Sequence, residues 1–342
     1  MKVLLLGETY PWSAEISYAR EMRKLGCDVT VWDNKRPSRL FGMRNWWELS
    51  LSERRIYDAI ASWRFYHFAK SFRPELLFIP KAENIHSHAI KRILEETKSR
   101  LVMWYPDHPF KADMTSMNVL RNLRRCDKFY IWGKFLVDSI KAAGATSVDY
   151  LPFGFDPEMH PLHTEVSLAD KNIYASKISF IGGWDLEREH DLSVLAPFGL
   201  SIWGPGWVEN LPKGSPLKNS VRGSGLYNQD LVKAYKTSQI VFNHLRKHNG
   251  SAHNMRTMEI AGVGGGVQLV RRTDEQCKEL FIENIHLLSY STHHELINLL
   301  KDDYFASIDF RIISENAKAR TLERHLLAHR FNKIMSDLHL IR

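Results

Sequence analysis

The polar residues with the clearest chemical meaning lie at residues 243–266. A short apolar run ends at Asn243, and Asn254 precedes a helical pattern at a position where asparagine is a good N-cap. Arg256 follows at the positive end of this helix, where an anion such as a diphosphate is stabilised. Glu259 lies one turn further on, and a carboxylate there can accept both hydroxyls of a ribose. The pattern predicts a nucleoside-diphosphate site; a capped helix with a surface glutamate is the alternative.

Two glycine-containing turns precede this segment. In the first, Gly182 and Gly183 end an apolar run and Arg188 follows, so that backbone N–H groups and a guanidinium can bind a pyrophosphate. In the second, Trp203 and Gly204 begin the run Trp-Gly-Pro-Gly-Trp, which predicts a slot where an indole stacks on a nucleobase. Each turn can equally be a tight connection between packed elements.

A separate group of candidates lies in the first half of the chain. Asp107 and His108 follow an apolar run, at a strand end that faces the crevice of an open α/β sheet. Asp107 can act as a base or orient a hydroxyl, and His108 has a suitable intrinsic pKa. A rigid loop between two prolines is the alternative. His86 and His88 are a lesser pair, which we expect on another loop; no third metal ligand accompanies them.

Several familiar motifs are missing from the sequence. The first apolar run ends Gly-Glu-Thr, which is not the glycine pattern of a dinucleotide-binding turn, and there is no P-loop. No two aspartates are separated by one residue, so the Asp-x-Asp metal clamp is absent. Helix dipoles and cationic side chains must then stabilise a leaving diphosphate, and we expect no obligatory metal and no cofactor.

Composition and charge indicate the cellular compartment and the kinds of partner that this chain can have. Cys27, Cys126 and Cys277 are far apart, which excludes a disulfide scaffold and predicts buried thiols in a reducing compartment. The formal net charge of +8 allows a polyanionic partner such as DNA, although the basic residues are dispersed. The first apolar run is too short for a signal peptide, and no stretch is long enough to span a bilayer. We expect a cytoplasmic protein.

The elements that must position these residues alternate as strands and helices. We expect strands at 2–7, 28–33, 75–80, 101–105, 128–133 and 147–152, then at 177–182, 200–203, 239–243, 267–270 and 286–290. A long helix is predicted over 51–72, with Ile56, Ile60 and Trp63 marking one face, and another over about 315–335. Such alternation is typical of two α/β units with parallel sheets, joined by a polar linker near 156–172.

The segment from Asn254 through Glu259 to the three glycines resembles the donor-binding segment of the CgeB-like (spore-maturation type) GT-B glycosyltransferases. Upstream, Gly-Leu-Tyr ending at Tyr227 and the two glycine turns fit the same layout. The resemblance covers about residues 175–325. It implies that Glu259 binds the ribose and that Asn254 and Arg256 lie near the diphosphate. Ser251 stands where the broader retaining pattern has a second glutamate, which leaves the stereochemistry open.

The resemblance implies a GT-B fold, with two Rossmann-like domains whose parallel sheets face across a cleft. We expect an acceptor domain at 1–155, a nucleotide-sugar donor domain at 173–314 and a C-terminal helix at 315–342 that returns to the first domain. The donor site would contain Gly182, Gly183, Arg188, Trp203, Gly204, Tyr227, Asn243, Asn254, Arg256 and Glu259.

The implied reaction moves a sugar from a nucleoside-diphosphate sugar, the co-substrate, to a hydroxyl acceptor. Asp107 or His108 would assist the acceptor hydroxyl. A hydroxymethylated DNA base, a glycan and a small molecule are all open as acceptors. A nucleotide-sugar epimerase and a non-catalytic nucleotide-sugar or DNA binding protein are the rival functions.

Overall fold

Two α/β units make up the described part of the chain. The computed structural model describes residues 1–11, 13–36, 38–301 and 305–339. The first unit contains Met1–Pro152 and the segment that begins at Arg330, and the second contains Phe153–His329.

The first unit is built on six parallel strands in the order β2-β1-β3-β4-β5-β6. They are β1 (Lys2–Gly7), β2 (Asp28–Asp33), β3 (Leu76–Phe78), β4 (Arg100–Tyr105), β5 (Lys128–Ile131) and β6 (Val148–Tyr150). Its helices are α1 (Ala14–Lys24), α2 (Leu51–Phe72), α3 (Ser87–Thr97), α4 (Met117–Leu123) and α5 (Val137–Ala142). The central strands are buried along almost their whole length, as expected for a parallel sheet covered on both faces.

The second unit has six parallel strands in the order β12-β11-β10-β7-β8-β9. They are β7 (Ser176–Ile181), β8 (Leu200–Trp203), β9 (Val221–Gly223), β10 (Ser238–Asn243), β11 (Val267–Arg271) and β12 (Leu288–Tyr290). Its helices are α6 (Leu168–Tyr174), α7 (Leu186–Ser193), α8 (Trp207–Asn210), α9 (Asn228–Thr237), α10 (Met255–Val263), α11 (His293–Leu299) and α12 (Phe310–Arg324). The last helix, α13 (Leu327–Asp337), begins in the second unit and continues into the first.

In each sheet, successive strands are first added on one side of the starting strand and then on the other, so the order of strand addition reverses at one point. In the second sheet this point lies between β7 and β10, and the order is that of dinucleotide-binding folds. In the first sheet it lies between β1 and β3, the flavodoxin-like arrangement. Ligands of open α/β sheets bind beyond the carboxyl ends of the strands at such a point. The residues that follow β7 and β10 are therefore the first to consider.

The predicted strands are confirmed, with ends that shift by a residue or two. Strand β9 was not predicted, because three residues with a central Arg222 carry no pattern without the neighbouring β8. The expected burial of the three cysteines is also confirmed.

Helix α2 begins and ends as predicted, but its apolar marker residues were read wrongly. Ile56 and Trp63 are 57% and 64% exposed. The buried side is instead formed by aromatic and small residues, among them Tyr57, Phe65 and Ala69. The sequence pattern failed here because exposed apolar residues also occur on this helix.

His86 and His88 do not lie on a loop. His86 is the N-cap of α3, and His88 lies in its first turn. The helix begins here because the His86 backbone N–H donates to Ser62 Oγ at 2.8 Å and its carbonyl accepts from Ala89 N at 2.9 Å.

The C-terminal helical stretch is divided into α12 and α13. Between them, His325 O accepts from Phe155 N at 2.7 Å, and Leu327 N donates to Phe155 O at 2.8 Å. This strand-like pairing uses backbone groups that a continuous helix would need for itself. The segment 156–172, predicted as a linker, lies within the second unit and includes the start of α6.

Among the described residues, no helix combines the length and the apolar character needed to cross a membrane.

Candidate donor site

Two asparagines fix the connection from β10 to α10. Asn254 is the N-cap of α10, as predicted, and its Oδ1 accepts from Thr257 N at 3.2 Å. Its Nδ2 donates to Asn243 Oδ1 at 2.9 Å and to His244 O at 3.3 Å. Asn243 is buried and donates in turn to Thr257 and to Gln268 on β11. Both amides are thus engaged inside the protein and shape the loop between them.

Arg256 and Glu259 form an ion pair on the first turns of α10. Arg256 Nη1 lies 2.5 Å from Glu259 Oε2 and donates to Tyr235 Oη on α9 at 3.3 Å. Burial opposes ionisation of Glu259, but the charges of Arg256 and His160 hold the pKa of its carboxyl below the usual range. Glu259 is therefore an ionised acceptor at neutral pH, and Arg256 is already directed towards it.

Arg188 lies against the turn that follows β7. Its Nη1 donates to Gly183 O at 2.6 Å, and its backbone N–H donates to Asp185 Oδ1, the N-cap of α7, at 2.9 Å. Its Nε is buried and lies 3.5 Å from Asp185 Oδ2, an ion pair without hydrogen-bond geometry, and it has no hydrogen-bond partner in the part of the chain that the structure describes. The predicted closeness of Gly182, Gly183 and Arg188 is present in the structure.

Arg246, on the loop after β10, reaches the same place. Its Nη2 and Nε donate to Asp185 Oδ2 at 2.6 and 3.1 Å. Burial, then the charge of Arg246 and less strongly that of Arg256, lower the pKa of Arg188 to about 10, although the Asp185 carboxylate opposes the shift. Arg188 and Arg246 thus meet on Asp185 between the ends of β7 and β10, and the charge of Arg256 is close enough to act on Arg188.

A cavity of about 430 Å³ adjoins this cluster within the second unit, lined by residues of α7, of the loop after β10 and of β11 and β12. His244 on its wall is buried, and its Nε2 lies 2.9 Å from Asp191 Oδ2. Its Nδ1 is buried and has no hydrogen-bond partner among the described residues. Burial lowers the pKa of His244, although Asp191 opposes the shift. When Nε2–H donates to Asp191, the neutral ring presents Nδ1 as an acceptor.

The predicted nucleobase platform is not formed. Trp203 is only 3% exposed, and Trp207 is fully buried with its Nε1 donating to Gly182 O at 2.8 Å. Gly204 is needed for packing, because a Cβ there would lie 1.9 Å from Gly182 O. Tyr227, the N-cap residue of α9, is 62% exposed, and no described contact joins it to the arginines. The turns after β7 and β8 pack against each other, and the indoles of Trp203 and Trp207 lie in the core.

The candidates Asp107 and His108 lie beyond the end of β4 in the first unit. Asp107 Oδ2 forms an ion pair with Lys81 Nζ at 2.5 Å. His108 Nδ1 accepts from Phe110 N at 3.3 Å, and burial lowers the pKa of its ring. The neutral ring therefore carries its proton on Nε2, which makes that nitrogen a donor. No hydrogen bond joins Asp107 to His108 in the described part of the chain.

Sequence reasoning assigned no role to Asp185, Asp191, His244 or Arg246. A signal for Asp185 was present, because an aspartate at the first position before a helix is a good N-cap. Its bond to Arg246 joins residues 61 positions apart and had no signal in the sequence. In the described ranges, no group of three or more histidine, cysteine or carboxylate side chains is placed to hold a metal ion.

Comparisons with known proteins agree on the fold. Residues 188–336 match a family described as "Glycosyl transferase-like". No curated protein is similar enough in sequence to be matched. A sucrose-phosphate synthase from Thermosynechococcus elongatus superposes with a TM-score of 0.69 at 10% identity, over 99% of both chains.

The chain has the GT-B fold.

Two further structures show the same likeness. The Anabaena protein HepE in complex with UDP gives a TM-score of 0.65 at 14% identity, over 99% of this chain and 100% of that one. An alpha-glucosyltransferase in complex with UDP and a 13-mer DNA gives 0.63 at 13% identity, with the same coverage. The GT-B prediction is confirmed, while the CgeB-like subfamily stays a prediction.

Proposed function

We propose that this GT-B protein is a glycosyltransferase that moves a sugar from a nucleoside-diphosphate sugar to a hydroxyl acceptor. The observation that carries the proposal is the pairing of Arg188 and Arg246 with one carboxylate, Asp185, between the ends of β7 and β10, where the charge of Arg256 also acts. The family match over the second unit and the UDP complexes of proteins with the same fold support a nucleotide donor.

The diphosphate is assigned to Arg188 and Arg246. Arg188 has a buried Nε without a hydrogen-bond partner among the described residues, and a diphosphate oxygen would supply one. An anion there would also oppose the effects of burial and of the Arg246 charge, which lower the pKa of Arg188. Guanidinium groups match the geometry of phosphate oxygens. The Asp185 carboxylate positions both side chains for that ligand, because Arg246 donates two hydrogen bonds to it and Arg188 Nε lies 3.5 Å from its Oδ2.

The ribose is assigned to Glu259, and this changes the role of Arg256. Glu259 stays ionised because Arg256 is paired with it, so its oxygens can accept from ribose hydroxyls. Arg256 then acts on the diphosphate through its charge, since its Nη1 is already bonded to Glu259 and Tyr235.

In the proposed reaction, the bond between the sugar C1 and the diphosphate oxygen breaks, and a bond from C1 to the acceptor oxygen forms. The departing diphosphate gains negative charge, which the arginines stabilise more strongly than the bound substrate. We expect transfer without an added divalent cation for this reason.

The acceptor is assigned to the first unit, with Asp107 as the residue that receives the hydroxyl proton. Asp107 Oδ2 is held by Lys81, and its Oδ1 has no hydrogen bond within the described ranges. His108 is less suited, because its Nδ1 is taken by Phe110 N and Nε2 carries the proton. A donor hydrogen bond from His108 to the acceptor is the role that fits this ring.

The proposal is tested by nucleotide binding to the variant Arg246→Ala. Arg246 is 38% exposed in its side chain, so its removal spares the core. We expect one of UDP, GDP, CDP and ADP to raise the melting temperature of the wild type, and its affinity to fall about tenfold or more in the variant, as loss of a charged hydrogen bond requires. The measurement is calorimetric titration without added metal.

Arg311→Ala is the matched control, since Arg311 lies in the same unit and is 74% exposed on α12. It should bind the nucleotide like the wild type. A wild type that no nucleotide stabilises would overturn the donor assignment. Conversion of the nucleotide sugar in the absence of any acceptor would identify an epimerase instead.

A further inference from the structure

A second candidate site lies in the first unit, at the carboxyl end of β2. It is a cavity of about 580 Å³, which is within the size range of small-molecule sites. Its floor is formed by Trp32 and Asp33 of β2, and one wall by Tyr57 of α2. Arg36, Arg39 and Arg64 also line it, so we refer to it as the arginine pocket. No role was assigned to these residues above.

The three guanidinium groups lack acidic partners. Within the described ranges, none of Arg36, Arg39 and Arg64 forms an ion pair with a carboxylate or has a side-chain hydrogen bond. All three side chains belong to exposed residues, so they are hydrated and free to turn towards a ligand. An arginine without a partner is unremarkable at a surface, but three around one cavity create a concentrated positive potential.

Asp33, the one acidic side chain among the described residues that line the pocket, already has hydrogen-bond partners. Asp33 Oδ2 accepts from Thr9 Oγ1 at 2.6 Å, and Oδ1 accepts from Lys35 N at 3.0 Å. These bonds tie Asp33 to the segments that follow β1 and β2, and both of its oxygens are therefore already occupied. The lining side chains therefore carry a net charge of +2.

The backbone that carries Arg36 is held in place by the pocket wall. Tyr57 Oη donates to Arg36 O at 2.9 Å, and the Tyr57 ring packs on Phe41 with centroids 5.6 Å apart. Phe41 belongs to the short turn Arg39–Phe41, whose N-cap Ser38 accepts from Leu40 N at 3.3 Å. The backbone that carries Arg36 and Arg39 is thus held by Tyr57 and Phe41.

We propose that the arginine pocket binds the phosphate group of a phosphorylated sugar that serves as the acceptor. A phosphate dianion offers several oxygens to guanidinium donors, which a carboxylate cannot match. The aromatic floor and wall of Trp32 and Tyr57 offer apolar faces for a sugar ring. The acceptor part of this inference rests on the proposed glycosyl transfer; phosphate binding by the pocket does not.

The compactness of the cluster favours a small phosphorylated ligand over DNA. A duplex presents phosphates along its whole length, and proteins bind it through many separated cationic contacts. Here the three arginines converge on one cavity. The same phosphate chemistry in DNA is an outcome that the experiment below would reveal.

The test compares glucose 6-phosphate, glucose and inorganic phosphate as probes, by calorimetric titration at constant ionic strength. The variants are Arg36→Ala and Arg64→Ala, with Arg55→Ala as the matched control. Arg55 lies on the same helix as Arg64, is exposed and does not line the pocket. We expect glucose 6-phosphate to bind about tenfold or more tightly than glucose, and each pocket variant to lose about tenfold, while Arg55→Ala changes affinity less than about twofold.

Three results would overturn the inference. One is equal binding of glucose and glucose 6-phosphate; another is phosphate binding that Arg36→Ala and Arg64→Ala leave unchanged. The third is a short DNA duplex whose affinity depends on Arg64 when glucose 6-phosphate does not bind. Nucleotide binding to the same variants separates this inference from the donor proposal. Arg64-dependent phosphate binding without nucleotide binding would refute only the donor proposal, and the reverse would refute only the pocket.

Discussion

The burial and charge of Arg188 indicate that an anionic ligand binds beside it. It is largely buried, and its two neighbouring arginines raise the cost of its charge, which the lowered pKa of about 10 expresses. Asp185 offsets part of that cost through an ion pair with Nε at 3.5 Å, which leaves this buried nitrogen without a hydrogen bond among the described atoms. A buried, under-neutralised cation at the reversal point of a sheet is typical of an anion site.

Glu15 offers a test of electrostatics at the residue scale that involves no ligand. It lies in the first turn of α1 beneath Gly7, where a Cβ would lie 2.1 Å from its Cγ. Burial raises the pKa of Glu15 to about 7, because its own backbone N–H and Lys35 offset only part of burial and of the Glu8 charge. The folded protein therefore holds the Glu15 proton at pH values where the unfolded chain has released it.

This bound proton determines how the stability of the protein depends on pH. Between the usual value of 4.5 and about 7 the folded state binds more protons, so stability falls as pH rises through this window. At pH 8, ionised Glu15 lowers the free energy of unfolding by about 3 kcal/mol. We expect Glu15→Gln to melt at a higher temperature than the wild type at pH 8 and at nearly the same temperature at pH 4.5. Glu95→Gln, on the exposed side of α3, should show no such gain; a gain from Glu15→Gln that does not vary with pH would contradict the assignment.

At the scale of elements, the loop from β10 to α10 organises the donor site. Asn254 caps α10 and also holds Asn243 Oδ1 and His244 O, so one side chain joins a helix start to a strand end. Arg246 leaves this loop to reach Asp185 on α7. The geometry of the arginine cluster therefore depends on a residue that need not touch the ligand.

Asn254→Ala should reduce both stability and nucleotide affinity. Loss of the cap costs about 1 kcal/mol, and the buried Asn243 oxygen left without its donor adds about 1–3 kcal/mol. Thr292→Ala is the control, because Thr292 caps α11 through Glu295 N and has no such link to the site. Denaturant unfolding and nucleotide titration of both variants decide the matter. Equal nucleotide affinity in the two variants would show that the cap acts on stability alone.

At the scale of the whole molecule, the end of the chain completes the first unit. Phe331 of α13 is fully buried and packs against Tyr18, Phe78 and Trp104. Asp337 accepts from Tyr130 Oη at 2.8 Å. The first unit therefore requires residues from both ends of the chain, with the second unit between them in sequence.

Phe331→Ala should destabilise the first unit by about 3–5 kcal/mol, as expected for a large side chain removed from a core. Hydrogen exchange should show faster opening of β1 and β4, while β10 and β11 keep their protection. Ile312→Ala, at a half-exposed position of α12, should change stability by less than about 0.5 kcal/mol. Nucleotide binding to the Phe331→Ala protein should be retained, because the proposed donor residues all lie in the second unit. Loss of protection throughout both sheets would contradict this separation.

Local sequence patterns determined where many of the strands and helices begin and end. Strands β1, β2 and β8 begin and end where their apolar runs do, and α2 extends over the predicted residues because Ser50 and Glu53 form a capping box at its start. Asn254 as N-cap was equally readable, since capping depends on neighbours within one turn. Spacing and propensity are sufficient where the partners lie a few residues apart.

Only the tertiary structure decided which of the candidate groups meet. Arg246 joins Asp185 across 61 positions, and the arginine pocket joins the end of β2 to a helix turn more than 25 residues later. Trp203 looked like a stacking surface, yet the turn is packed so closely at Gly204 that the indole lies in the core. Burial and pairing between distant elements depend on how the sheet orders its strands, and the pattern within any one segment carries no information about that order.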